Sequence, residues 1–162
     1  IAPSLASRLH PMYAKILVPV DGSATSDQGL AEAIRLASLS HGRIRLLHVV
    51  DLLSFALLPE AGGAMTQEFF DQLRAGGEGV LARARAGVEA AGLPVETRLI
   101  EGAMRRVSDV VVDEAREWNA EVIVLGTHGR RGVGRALLGS DAEQIVRTAP
   151  VPVLLVRGRE PG

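Results

Sequence analysis

Gly126-Thr127-His128-Gly129, followed after nine residues by Gly139-Ser140, is the pattern in this chain that most directly implies chemistry. It comes straight after the apolar run Val122-Ile123-Val124-Leu125. A strand that ends in glycine lets a ligand approach bare backbone, and a glycine and serine that open a helix turn N–H groups and a hydroxyl toward an anion. The spacing G-x2-G-x9-G-S therefore suggests a nucleotide held between a strand end and a helix start.

Two better-known phosphate motifs do not fit the same residues. Gly134 to Ser140 has the glycine spacing of a P-loop, but Ser140 stands where its lysine would be. Gly132-Val133-Gly134 begins like a dinucleotide finger, yet Leu137 takes the third glycine position and the first strand turn is Asp21-Gly22-Ser23.

Other polar residues have a chemical reading and a plainer one. Asp21 can contact a nucleotide or its metal, and Asp-Gly-Ser is equally an ordinary turn and helix cap. His128 lies in the glycine loop, but no Ser, Asp or second His is placed to make it a catalytic base. Arg130, Arg131 and Arg135 can grip phosphates or form a solvated basic loop. Asp109, Asp113 and Glu117, at i, i+4 and i+8 among Arg105, Arg106 and Arg116, read as a solvated helix face rather than a metal site.

The elements that must position these groups follow from composition and pattern. The 162 residues, 47% apolar, suit one domain with a sizeable core. A formal net charge of -1 gives no general attraction to nucleic acid or an anionic membrane. The chain has no cysteine and only scattered histidines at 10, 41, 48 and 128, which argues against disulfides, thiol nucleophiles and soft-metal chemistry. No apolar run approaches the roughly 18 residues that span a bilayer. The expected location is cytoplasmic, without a membrane partner. Met12 reads as the natural start, residues 1–14 as a tail outside the fold, 15–157 as one domain, and 158–162 as a C-terminal tail.

Lys15 to Val20, Arg43 to Val50, Val95 to Glu101, Glu121 to Gly126 and Pro152 to Arg157 are rich in Val, Ile and Leu without strict alternation. This is the pattern of strands covered on both faces. Ser26 to Ser40 and Val107 to Trp118 carry apolar residues at helical spacing. An α/β fold with a five-stranded parallel sheet follows. Thr66 to Ala91 reads as a helical stretch whose first half is irregular or kinked, because Gly76, Gly77, Gly79 and Gly87 each cost up to about 1 kcal/mol mid-helix. Asp51 to Met65 fits neither period and is either a lid or a variable loop packing its own side chains. Trp118 is expected in the core or against a partner. If the first and fourth strands are neighbours, their ends at Asp21 and Gly126 form one cleft.

Lys15-Ile-Leu-Val-Pro-Val-Asp-Gly-Ser23, Leu46-Leu-His-Val49, Val122-Ile-Val-Leu-Gly-Thr-His-Gly129, Gly139-Ser140 and Pro150-Val-Pro-Val-Leu-Leu-Val156 together resemble the universal stress protein family over residues 15–157. The resemblance implies a three-layer α/β/α, Rossmann-like fold of the adenine nucleotide alpha hydrolase-like type, with strand order 3-2-1-4-5. It also implies a homodimer formed through the last strand. Because the glycine motif is kept, it implies the ATP-binding branch of the family, with no catalytic residue assigned. By that similarity Pro19, Val20, Asp21 and Val49 flank the adenosine. Gly126, Gly129, Gly139 and Ser140 surround ribose and phosphates, and Arg130 adds a phosphate contact. Where the family commonly has a small or β-branched neutral residue after Gly-Ser, this chain has Asp141. That carboxylate stabilises its own helix start, competes with phosphate there, or brings Mg²⁺ in as a bridge.

Three functions are consistent with this reading. The first is a regulatory, stress-response dimer in which bound ATP sets a state read by a protein partner. The second is a slow ATPase or phosphate-transferring enzyme, for which base, lysine and metal pair are lacking. The third is an interaction protein that binds no nucleotide. The first is the expectation carried forward.

Overall fold

In the computed structural model, which describes residues 12–57, 66–101, 104–127 and 138–158, all five apolar runs are strands. They are β1 (Lys15–Pro19), β2 (Arg43–Val49), β3 (Val95–Ile100), β4 (Val122–Gly126) and β5 (Val153–Val156). Every pairing is parallel, and the order is β3-β2-β1-β4-β5, as expected.

Both faces of this sheet are covered, which is why its strands lack polar alternation. Ile16 and Val18 of β1 pack with Leu30, Ala33 and Ala37 of α1 (Ala24–Ser40) and with Val80, Ala84 and Val88 of α3 (Gln67–Ala90). Leu17, one residue out of phase, packs on the opposite face with Val111 and Ala115 of α4 (Val107–Glu117) and Ile145 of α5 (Ser140–Thr148). Trp118 is buried in this second cluster, as expected of a core residue. The layers are therefore α/β/α.

Two helical expectations need correction. α3 runs unbroken through all of its glycines. Gly77 explains why: a Cβ there would stand 2.7 Å from Cδ2 of His48 and 2.8 Å from Cδ1 of Leu99, so close packing on the sheet outweighs the lost helix propensity. Within Asp51 to Met65, the structure contains a short helix, α2 (Leu52–Ala56), capped by the Asp51 carboxylate, which accepts from Ser54 N at 3.0 Å. Residues 58–65, and with them most of the expected lid, lie outside the described residues.

The outer face of β2 and β3 on the α4 side is charged. The Arg45 guanidinium binds Glu96 of β3 and Glu114 of α4, and lies 4.6 Å from the centre of the Trp118 ring. Burial opposes the charge on Arg45, but these two carboxylates hold its pKa above the usual guanidinium value. On the exposed side of α4, Asp113 bonds Arg105 and Arg116, so the acidic series there is a solvated face. Among the described residues no cluster of three metal-ligating groups occurs, and no helix is long and apolar enough to cross a membrane.

Candidate functional site

β1 lies between β2 and β4, so the chain leaves its carboxyl end toward one side of the sheet and later returns on the other. Ligands of open α/β sheets bind at such a reversal. The register pairs Ile16 with Val122 and Leu17 with Ile123, which sets the ends of β1 and β4 side by side.

The turn that leaves β1 is fixed at successive polar groups. Pro19 ends the strand, and Val20 N donates to Leu47 O at 2.8 Å. The Val20 carbonyl accepts from Nδ1 of His48 at 2.8 Å. Asp21 N donates to Ser26 Oγ at 3.2 Å, and the Asp21 carboxylate accepts from Ser23 N at 2.9 Å. Ser23 then caps α1, its hydroxyl accepting from Ser26 N. Gly22 sits at φ 78°, a left-handed conformation that favours glycine. The turn-and-cap role of Asp-Gly-Ser is thus present, and it holds Asp21 at the strand end. The Val20 side chain is buried toward α1 and α3, leaving its backbone at the edge. Val49 closes β2 opposite Ile100 and packs on the α4 and α5 face.

Gly126 has a reason of its own for being glycine. A Cβ on it would stand 2.7 Å from both Cγ2 and the carbonyl oxygen of Thr25, and one on Gly29 would stand 3.1 Å from Gly126 N. The first turn of α1 therefore lies directly against the end of β4. That contact draws the Asp21 turn and the Gly126 end together, and Thr25 occupies the place a Gly126 side chain would take, so that only the Gly126 backbone is available to a ligand.

Past Gly126, the buried Thr127 donates its N–H to Val156 O at 3.0 Å and accepts from Gly139 N at 2.8 Å. The second bond ties the end of β4 to the start of α5. Gly139 is the N-cap and has no side chain to cap with; the first intrahelical bond runs from Glu143 N to Gly139 O at 2.9 Å. The N–H groups of Ser140, Asp141 and Ala142 consequently have no acceptor within the helix. With the Ser140 hydroxyl they form a donor set suited to phosphate oxygens. Gly129 and Arg130, like His128, Arg131 and Arg135, lie outside the described residues.

Asp141 behaves in a way the sequence did not suggest. Its carboxylate accepts from Ser108 N at 3.3 Å and so caps the start of α4, whose own N-cap residue, Arg106, makes no side-chain cap. The Ser108 hydroxyl is buried and, among the described residues, has no hydrogen-bond partner. Below the β1 turn, on the α1 and α3 side, a cavity of about 270 Å³ is lined by Val20, Leu30, Val80 and Ala84, with Asp27 and Arg83 among its polar groups. Sequence reasoning missed His48, Thr25 and Thr127. A histidine inside the apolar run Leu46 to Val49 was the available signal for the first.

The five-stranded parallel sheet in the order β3-β2-β1-β4-β5, with helices on both faces, defines a Rossmann-like α/β/α fold, a class whose ligand crevice lies outside the carboxyl ends of the strands. The model of the universal stress protein family matches residues 12–157, and this chain belongs to that family. Universal stress protein MJ0531 of Methanocaldococcus jannaschii is 32% identical over 146 residues, which cover 90% of this chain and 83% of that protein. A universal stress family protein from Burkholderia pseudomallei superimposes with a TM-score of 0.72 at 33% identity, covering 90% of this chain and 96% of its own. The universal stress protein from Archaeoglobus fulgidus, in complex with dAMP, gives a TM-score of 0.66 at 26% identity, covering 90% of this chain and 98% of its own.

Proposed function

We propose that this chain binds ATP across the ends of β1 and β4 and acts as a cytoplasmic, stress-response regulatory dimer. The observation that carries the reading is the tie between Thr127 and Gly139, which sets the glycine-capped start of α5 beside the end of the central strand. The related Archaeoglobus protein, described in complex with dAMP, supports an adenine nucleotide as the ligand. In this reading Pro19, Val20, Asp21 and Val49 flank the adenosine. Gly126, Gly129, Arg130, Gly139 and Ser140 serve ribose and phosphates.

The residues present fit such a ligand. The α5 start offers backbone donors and a hydroxyl, and the Asp141 carboxylate is engaged by Ser108 N at the head of α4. Mg²⁺ would arrive with the nucleotide. A bound nucleotide would order this edge so that a protein partner reads the occupied state. The dimer would form through β5, whose Leu154 is exposed.

Titration calorimetry of nucleotide-stripped protein with ATP and AMP, with and without Mg²⁺, tests the binding. Saturable micromolar binding lost in Gly139→Val is the expected result. Absence of binding under all conditions would leave a protein that acts by interaction alone.

A further inference from the structure

We infer that His48 is a positioning residue of the nucleotide site, an inference that rests on the reading just proposed. His48 lies on β2, is 8% exposed, and reaches past the strand ladder to the Val20 carbonyl. A carbonyl only accepts, so Nδ1 carries the proton of this 2.8 Å bond. Val20 immediately precedes Asp21, the candidate adenosine contact. With Asp21 N on Ser26 Oγ, the imidazole fixes the second polar group of the Val20–Asp21 peptide unit, from which Asp21 projects.

The environment of the ring is built for it. Gly77 of α3 faces it so closely that a Cβ would stand 2.7 Å from Cδ2 and 3.1 Å from Nε2. By contrast, a Cβ on the neighbouring Gly76 would meet nothing within 4 Å. Mid-helix glycine is unfavourable, so at position 77 the helix gives up propensity for the imidazole's place. The position of α3 is thereby transmitted through His48 to the end of β1. Two elements with no nucleotide-contacting residue assigned to them, α3 and the interior of β2, thus set the shape of the site. A site held by supporting hydrogen bonds keeps its geometry before the ligand arrives.

The test pairs His48→Leu, which removes the donor, with His48→Asn, whose amide can place a donor near the Nδ1 position. His48→Leu should weaken ATP binding about tenfold or more, and His48→Asn should restore it to within about threefold of the parent. Gly77→Ala should weaken ATP binding several-fold, while Gly76→Ala raises Tm with affinity unchanged. Two measurements do not use ATP. Long-range ¹H–¹⁵N spectra of the parent protein should find the proton on Nδ1, and amide exchange at Asp21 and Gly22 should accelerate in His48→Leu, or in Gly77→Ala if the leucine variant does not fold. Parent-like affinity in His48→Leu, no recovery in His48→Asn, or a proton confined to Nε2 would each overturn the inference. If the parent itself binds no ATP, the proposed function fails, and the tautomer and exchange results still decide the role of His48.

Discussion

The two edges of the sheet have the same hydrogen-bonding problem and opposite chemistry. Each presents a row of backbone N–H and C=O groups with no strand beyond. β3 carries Glu96, Thr97 and Arg98 in its centre, with Glu96 bound to Arg45 and Arg98 near Glu114. β5 is Val153-Leu154-Leu155-Val156, without a single polar side chain. Charges on an edge strand discourage a foreign strand, whereas an uncharged apolar edge is left only where something is meant to cover it. One edge is thus guarded by its ion network, and the other is the edge through which the dimer proposed above would form.

The largest expected effect falls on the charged edge. Glu114 is 3% exposed and shared by Arg45 and Arg98, so Glu114→Ala should destabilise the fold by about 3 kcal/mol, read from denaturant unfolding. Parent stability would mean that the network does not anchor this edge. On the apolar edge, Leu154→Glu should raise the dimer dissociation constant roughly 30-fold, about 2 kcal/mol, with an unchanged circular dichroism spectrum. Sedimentation showing an intact dimer would move the interface elsewhere.

Gly126 pairs with Val156 of β5 and is pressed by Thr25, so Gly126→Ala should cost about 1.5 kcal/mol and loosen the apolar edge before the charged one in hydrogen exchange. The smallest effect belongs to Asp113, on the exposed side of α4. The hydrogen bond from Arg105 holds its carboxyl below the ordinary value of 3.8. A depressed carboxylate stabilises the fold above that value and loses the contribution as pH falls through the folded pKa. A carbon-detected NMR titration should therefore find the Asp113 midpoint below that of an unpaired aspartate, and Arg105→Ala should raise it part of the way back, the remainder being held by Arg116.

Much of this architecture was legible because buried parallel strands are locally unmistakable, and the five Val, Ile and Leu runs needed no knowledge of their neighbours. What stayed hidden depends on residues distant in sequence. The glycines of α3 look like breaks until Gly77 is seen against His48. Asp141 looks like a cap of its own helix until Ser108, in another helix, is found to donate to it. Gly126 fits a ligand-approach motif by pattern, yet its missing side chain is matched by Thr25, a contact that no local window contains. The turn at Asp21 and the helix start at Ser140 were readable as local features, and the hydrogen bonds that hold them were not.

The pairing of Ile16 with Val122 and the bond between Thr127 and Gly139 also bear on how the chain comes into being. The two sides of the cleft lie about a hundred residues apart in sequence, so a ribosome adding about 5–20 residues per second finishes one side several seconds before the other exists. No partial chain ending before β4 can hold the ligand this way. Ligand held here rewards only the completed molecule, adding about 2.7 kcal/mol to its stability at a free concentration one hundred times the dissociation constant. In the function proposed above, nucleotide would therefore act on this chain as a folding ligand as well as a signal.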